Sequence, residues 1–284
     1  GGNQVFCNPE ELLERYDELK IDKGALLPIV SPEVYLPQSN EYILDVVKQY
    51  PDRFFAFCNI DPRSVTNSCD APLGDLMRYY KDKGCRGIGE VMPNMHIAHP
   101  MVQNLFKHAE EVGLPVTFDM MDHIGGIFGL YDDVGLPHLE HTLQRFPKLK
   151  ILGHGPAFWA EIGRLRTPAD RSAILLPDWT CPGGLPRYPI DEEGVVPELF
   201  RRYENLYGDL SSECGWNALA RDVDYAVRFI HEFQDRLLFG TDICGPDTPV
   251  YLADFLLNLL NTGKVSQEVF DKIAYKNAVK LFKL

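Results

Sequence analysis

The feature that most constrains how this sequence can fold is its alternation of short apolar runs with amphipathic segments. Seven runs have the pattern of buried strands, and the segments between them repeat their apolar residues with a helical period. The runs lie at 25–30, 54–59, 86–91, 115–118, 150–152, 206–210 and 236–239. This alternation predicts an α/β fold with a parallel sheet covered by helices. Since a TIM (β/α)8 barrel has eight strands, we expect a distorted barrel whose first strand is missing or lies upstream of residue 1.

The length of 284 residues suits a single barrel domain spanning 1–284. A poor strand near Val5 and Phe6 is the alternative source of the first barrel strand. The stretch 156–194 is rich in proline and has at most one short predicted helix. Connections of that length are usually lids or binding loops, and this one is also consistent with a homodimer contact.

Charge and composition exclude several classes of partner. The net charge of −13 argues against nucleic acid, because binding a phosphate backbone needs a basic face. The sequence contains neither a run of about 18 apolar residues nor a signal peptide, so we expect no membrane partner. Seven cysteines without a C-x-x-C pair suggest free thiols. A cytoplasmic protein acting on a small molecule is the expectation.

Four polar residues stand where a predicted strand gives way to a loop. They are Glu90, Asp119, His154 and Asp242. In a barrel of parallel strands these ends share one mouth, which is where catalytic groups gather. Carboxylate and imidazole groups are ligands for a divalent metal such as zinc. A metal-bound water beside a carboxylate base is an arrangement that supports hydrolysis.

Four segments of the chain also resemble a known family. Residues 149–155 (LKILGHG) look like the strand-six motif of the amidohydrolase superfamily, and residues 237–242 (LLFGTD) look like its strand-eight motif. Residues 272–278 (KIAYKNA) resemble the closing helix, and residues 113–116 (GLPV) resemble the entry to strand five. The resemblance is to the amidohydrolase-related (amidohydrolase 2) branch, which also holds metal-dependent decarboxylases of aromatic acids.

The resemblance implies a distorted barrel with one catalytic divalent metal, zinc first and manganese as the alternative. By position, Asp242 would contact the metal and handle a proton, and His154 would be a ligand or a catalytic group beside it. Two departures from the family pattern are visible. The His-x-His of strand one is nowhere in the chain, and the strand-five histidine is replaced by Asp119.

Each of these four candidates has a simpler structural interpretation. Asp242 and Asp119 are compatible with turn residues, and His154 with a satisfied histidine between two glycines. Glu90 is compatible with an ion pair to Arg86.

Three further residues are candidate substrate contacts. Glu213 closes the seventh predicted strand, His123 lies on the loop after Asp119, and Trp159 lies on the long connection. His123 could also bind a metal if its loop folds back, and the alternative for Trp159 is ordinary lid packing or a dimer contact. Outside these candidates, the His-x-x-His of His96 and His99 suggests a metal site, but its polar loop favours a solvated turn. His138 is interpreted as a surface or packing residue of a helix.

The sequence therefore predicts a metal-dependent hydrolase that acts on an amide, ester or lactone carbonyl through an activated water. One alternative is non-oxidative decarboxylation of a small aromatic acid by the same site. Another is a barrel that binds a small molecule without catalysis, which the absent His-x-His favours.

Overall fold

The computed structural model describes residues 6–34, 37–172 and 184–284. The chain divides into two compact units. The N-terminal unit comprises Asp22–Gly153 and Tyr203–Leu206, and the C-terminal unit comprises Gly1–Ile21, His154–Arg202 and Tyr207–Leu284. The candidates Glu90 and Asp119 lie in the N-terminal unit, and His154 and Asp242 lie in the C-terminal unit.

Eight strands occur within the described residues. They are β1 (Gly24–Leu26), β2 (Phe54–Ala56), β3 (Ile88–Val91), β4 (Val116–Met121), β5 (Leu130–Tyr131), β6 (Ile151–His154), β7 (Leu206–Asp209) and β8 (Leu237–Leu238). The pairs β1–β2, β3–β4, β4–β5 and β7–β8 are all parallel, as the alternation predicts. The two-residue β5 was not predicted, because so short a segment has no periodicity to detect. Val5 lies outside the described residues, and Phe6 is not in a strand.

The helices of the described residues follow the predicted amphipathic segments, with one addition. They are α1 (Pro9–Leu19), α2 (Asn40–Gln49), α3 (Leu73–Asp82), α4 (Pro100–Val112), α5 (Pro137–Arg145), α6 (Pro156–Ala160), α7 (Val195–Arg202), α8 (Ser212–Ala220), α9 (Val223–Phe233), α10 (Tyr251–Asn261), α11 (Gln267–Asp271) and α12 (Asn277–Phe282). A 3-10 turn spans Pro168–Arg171, and a π turn spans Lys272–Lys276. The unpredicted helix is α8. None of the described helices has both the length and the apolar character needed to cross a membrane.

A buried asparagine ties the strand ends of the N-terminal unit together. The Asn59 side chain donates to the carbonyl oxygen of Pro28 at 2.8 Å and to that of Glu90 at 2.6 Å. The backbone of Asn59 is in turn bonded to the Asn40 amide, which accepts from its N–H and donates to its carbonyl. Because buried polar groups are costly unless satisfied, this reciprocal network fixes the backbone at Glu90.

In the C-terminal unit, both edges of β8 are occupied. On one side, Gly208 and Leu210 donate to the carbonyls of Arg236 and Leu238 at 2.9 and 3.0 Å. On the other side, the Phe239 N–H donates to Ile273 O at 2.9 Å, and the Asn277 amide donates to Leu237 O at 2.8 Å. The π turn makes this possible, because its wider hydrogen-bonded ring redirects a helix carbonyl.

The long connection 156–194 contains more structure than the sequence suggested. It begins with α6, which is fully buried, and continues into the 3-10 turn. Trp159 of α6 packs edge-on against Phe158 and Phe229 with ring centroids 5.0 and 6.4 Å apart. The start of the connection is therefore part of the C-terminal core. Residues 173–183 lie outside the described residues.

Candidate metal centre

His154 lies at the point where β6 turns into α6. Its side chain is buried, with 5% of its surface exposed. Gly155 follows with φ 97°, a left-handed conformation that glycine adopts without a steric penalty. Pro156 then starts the helix at its first position, where a missing N–H costs nothing. The GHGP sequence thus fixes an imidazole at a strand end.

Two residues at the end of β7 lie beside Nδ1 of the His154 ring. Ser211 Oγ lies 3.3 Å from His154 Nδ1, and Asp209 Oδ2 lies 3.8 Å from the same nitrogen. Asp209 is itself held, because its Oδ1 accepts from the Ser211 N–H at 3.0 Å. Ser211 is the N-cap of α8, yet its side chain makes no capping bond. Its hydroxyl is directed to the histidine instead of to the helix.

These contacts have a chemical consequence for the imidazole. The negative charge of Asp209 near Nδ1 favours the neutral tautomer that carries its proton on Nδ1, and the Ser211 hydroxyl can accept that proton. That tautomer would leave Nε2 unprotonated, the form required of a metal ligand or a general base.

Trp159 supports this arrangement from beneath. Its indole Nε1 donates to the carbonyl oxygen of Asp209 at 2.8 Å, and only 1% of the side chain is exposed. The ring presents almost no surface in this structure, and a role of Trp159 in substrate contact remains a prediction. Its observed place is that of a residue positioning Asp209.

Asp242 approaches the same group from β8. Gly240 lets the chain pass closely, because a Cβ there would lie 2.8 Å from Ser211 Cβ and 3.2 Å from Asp209 Oδ1. Asp242 has φ 55°, a left-handed conformation that is uncommon for residues other than glycine and that occurs often at functional sites.

The residue Asp242 is exposed to solvent, although protein atoms surround its carboxylate closely. Its enclosure raises the pKa of Asp242 to about 6, the nearby charge of His154 opposes that rise, and the negative charge of Asp209 adds to it.

The side chains of His154, Asp209 and Asp242 offer one imidazole and two carboxylates, which are suitable ligand types for a divalent cation. The negative charge of Asp209 raises the pKa of Asp242, and a cation beside the two carboxylates would offset that repulsion. His154 and Asp242 are close enough for the charge of His154 to act on the pKa of Asp242, and Asp209 lies 3.8 Å from His154. The roles of His154 and Asp242 as metal ligands remain predictions.

Asp209 and Ser211 were missed by sequence reasoning. The predicted strand 206–210 ran one residue beyond β7, so Asp209 was read as strand interior. The available signal was the pair Gly208-Asp209, a small residue and a carboxylate at a strand end.

Glu213 does not end a strand, and that prediction was wrong. The strand β7 stops at Asp209, and Glu213 lies half-buried in the first turn of α8. A role in substrate contact remains a prediction for this residue.

The other candidates belong to the N-terminal unit. Asp119 was expected after a strand, but it lies inside β4, 5% exposed between Phe118 and Met120. Glu90 is the third residue of the four-residue β3, with its carbonyl bound by Asn59. His123 is exposed on a loop, and its Nδ1 lies 2.8 Å from Asp122 Oδ1. The proposed functional roles of Asp119, Glu90 and His123 remain predictions.

Comparison with known protein families gives a match over most of the chain. A family model described as amidohydrolase (amidohydrolase 2) matches residues 34–284. The chain belongs to this family. No curated protein matches the chain.

Several solved structures share the fold of this chain at low sequence identity. An uncharacterised TIM-barrel protein from Bordetella bronchiseptica has a TM-score of 0.62 and 20% identity, covering 96% of this chain and 81% of its own. A 5-carboxyvanillate decarboxylase from Novosphingobium aromaticivorans, complexed with manganese, has a TM-score of 0.59 and 16% identity, covering 96% and 79%. A probable 2-pyrone-4,6-dicarboxylic acid hydrolase from Acinetobacter baumannii has a TM-score of 0.54 and 12% identity, covering 100% and 94%. The chain therefore has an α/β fold of the TIM-barrel kind, as the strand alternation predicts.

Proposed function

We propose that this protein is a metal-dependent hydrolase acting on the carbonyl group of a small amide, ester or lactone. The observation that carries the proposal is that His154 lies 3.8 Å from Asp209 and that the charges of both residues act on the pKa of Asp242. A divalent ion held there, zinc or manganese, supplies activation of a water molecule and polarisation of a carbonyl.

The side chains of this chain divide the remaining work. Asp242 accepts a proton at its carboxylate, for which a pKa of about 6 is well suited near neutral pH. His154 would help to polarise the scissile carbonyl indirectly, because an unprotonated Nε2 would hold the divalent ion rather than donate a hydrogen bond. Enclosure of Asp242 by protein atoms strengthens these electrostatic interactions. Asp119 and Glu90 are proposed as further ligands on the strength of their places in the strands β4 and β3.

Non-oxidative decarboxylation of a small aromatic acid is the second candidate. It is supported by the fold shared with the manganese-containing 5-carboxyvanillate decarboxylase. The same residues would serve it, because both reactions need a bound metal and a group that handles a proton. Only the products distinguish the two reactions.

A small molecule is the proposed partner, and a homodimer remains a prediction. The cysteines within the described residues are free thiols, which supports the proposed cytoplasmic location.

The proposal is tested first by metal content and then by turnover. Protein purified without chelators should contain zinc or manganese by plasma mass spectrometry. It should then convert a member of a panel of esters, lactones, amides and aromatic acids. Hydrolysis products support the first candidate, and carbon dioxide without hydrolysis products supports the second.

The matched variants are Asp242→Asn and Asp247→Asn. Asp242→Asn should abolish turnover, by roughly 10²–10⁴-fold or more, and keep the fold. Asp247, an exposed aspartate on the same loop, should tolerate the same change. An active Asp242→Asn enzyme would contradict the assignment. Failure of the wild type to bind zinc or manganese after incubation would favour a barrel that binds without catalysis.

A further inference from the structure

A second group of metal-ligating side chains lies in the N-terminal unit. His96, Asp132, Asp133 and His138 each offer a ligand atom, and these atoms all lie within 4.8 Å of one another. We call them the β5–α5 cluster, because Asp132 and Asp133 follow β5 and His138 lies in the first turn of α5. We propose that this cluster binds a divalent transition metal such as zinc as a structural ion, independently of the centre that contains Asp242.

The distances within the β5–α5 cluster suit one tetrahedral ion. His138 Nδ1 lies 2.9 Å from Asp132 Oδ1 and 3.8 Å from Asp133 Oδ2. Asp133 Oδ2 lies 3.9 Å from His96 Nε2. Ligands at the usual zinc distances of about 2.0–2.2 Å stand about 3.4 Å apart at the corners of a tetrahedron. The observed separations bracket that value, so small side-chain movements would place an ion between the four atoms.

Backbone hydrogen bonds preorganise the cluster. His96 is held to the strand because Tyr131 accepts from the Ile97 N–H at 2.8 Å and donates to Met95 O at 2.9 Å. The rings of His96 and His138 meet edge to face with centroids 4.6 Å apart. Loop segments far apart in sequence thus bring two imidazoles together.

Asp132 is fixed by the start of α5. The N-cap residue, Leu136, has φ 51° and provides no side-chain cap. The carboxylate of Asp132, which has no exposed surface, accepts instead from the N–H groups of Leu139 at 2.7 Å and of Asp133 at 2.8 Å. An ion at Asp132 would therefore meet a ligand whose orientation is already determined.

Binding exchanges two existing hydrogen bonds for metal contacts. The Asp132–His138 bond at 2.9 Å gives way to the ion. The Ala98 N–H donates to His96 Nδ1 at 3.0 Å, and this bond is lost as well, because a metal at Nε2 requires the ring proton on Nδ1. The metal affinity of the cluster should therefore be lower than that of sites whose ligands need no rearrangement. It should also fall at acidic pH, because protons then compete with the metal for the histidine nitrogens.

The consequence of the ion is local stabilisation. It would join the segment between β3 and α4, through His96, to the connection between β5 and α5. An ion bound only by the folded protein raises its stability by mass action.

The test is a cobalt titration of full-length, chelator-treated protein, because tetrahedral cobalt has a visible absorption that reports its ligands. The wild type should bind one equivalent more than His138→Ala, and zinc should raise its melting temperature more. Asp133→Asn should lose the same equivalent, and it covers the case in which His138→Ala does not fold, since Asp133 is largely exposed. His141→Ala, an exposed histidine of the same helix, should behave as the wild type.

Equal stoichiometry and equal thermal shifts in the wild type, His138→Ala and Asp133→Asn would overturn the proposal. Asp242→Asn separates the two sites, because it affects the other centre. An equivalent that disappears in Asp242→Asn but persists in both cluster variants refutes the β5–α5 site and leaves the proposed function intact. The reverse pattern supports the β5–α5 site and counts against the proposed function.

Discussion

The two units each contain a cluster of histidine and aspartate, and the clusters differ in how their carboxylates are satisfied. In the β5–α5 cluster, Asp132 is fully buried and accepts several backbone N–H groups at the start of a helix. At the centre near β8, Asp242 is enclosed by protein, and its pKa is raised to about 6. Asp132 therefore stabilises the start of α5, whereas we propose that Asp242 handles a proton. The difference between the two carboxylates is the number of backbone N–H groups that donate to each.

The largest difference between the two clusters should appear when one histidine of each, His154 or His138, is removed. His154→Ala deletes an imidazole that is 5% exposed and whose tautomer is set by its neighbours, so we expect turnover to fall by roughly 10²–10⁴-fold. His138→Ala should instead lower the melting temperature in the presence of zinc. Steady-state kinetics and thermal unfolding of both variants measure the contrast. A His154→Ala enzyme with normal turnover would remove the distinction between the clusters.

Asp132→Ala tests the structural side of the comparison. It removes the acceptor for the first turn of α5 and leaves buried N–H groups without a partner, so the free energy of unfolding should fall by about 2 kcal/mol. Urea unfolding measures the loss. As a control, Asp133→Ala removes an exposed neighbour and should cost less than about 0.5 kcal/mol in chelated protein. Equal losses in the two variants would show that Asp132 does not cap the helix.

Ser211→Ala tests whether the Ser211 side chain, at the N-cap position of α8, acts on His154 and not on the helix. A serine that caps a helix typically contributes about 1 kcal/mol, but the Ser211 side chain makes no such bond. We therefore expect a stability change below about 0.5 kcal/mol and a fall in kcat of about tenfold with a shifted pH profile, because His154 loses an Nδ1 contact. Ser266→Ala is the matched control, since Ser266 caps α11 by accepting from Val269 N, and it should lose stability without a shifted pH profile. The opposite pattern would assign Ser211 to the helix.

A further expected effect concerns how the stability of the metal-free protein depends on pH. The folded-state pKa of Asp242 is raised to about 6, so between pH 4 and pH 6 the folded chain holds more protons than the unfolded chain. Stability should therefore fall as the pH rises through this window and level off above it. Asp242→Asn should remove this dependence and be the more stable protein at pH 7 in chelator. Urea midpoints measured from pH 4 to pH 8 check this, and parallel curves for the two proteins would show that Asp242 is not desolvated.

The sequence predicted the frame of the protein better than the details of its sites. Helix α9 was predicted with the bounds it has, because a clear apolar stripe and Asp222 as N-cap define it. Helix α8 was missed, since its sequence begins with serines and contains Gly215. The strand-end rule correctly placed His154 at the end of β6, whereas the roles of His154 and Asp242 remain predictions. The same rule ended the strand before Asp119 three residues too early, because the apolar residues Met120 and Met121 continue β4.

The features that could not be predicted depend on contacts between residues that are separated in the sequence. Ser211 contacts His154 over 57 positions of sequence, and no local pattern reveals that the hydroxyl is turned away from its helix. Asp132 caps a helix that starts five residues later, which requires the left-handed turn at Leu136. Both depend on the conformation of a single residue beside the functional group.

The closing helix has a consequence for how this chain behaves in solution. Strands at the margin of a sheet are templates for aggregation and domain swapping, because their free N–H and carbonyl groups accept another strand. The second margin of β8 offers neither group, since Ile273 O and the Asn277 amide already occupy Phe239 N and Leu237 O. We therefore expect residues 272–282 to hinder self-association by covering this edge. Deletion of the segment should leave the backbone N–H of Phe239 and the carbonyl of Leu237 free to pair with a strand of another molecule, next to the loop that carries Asp242.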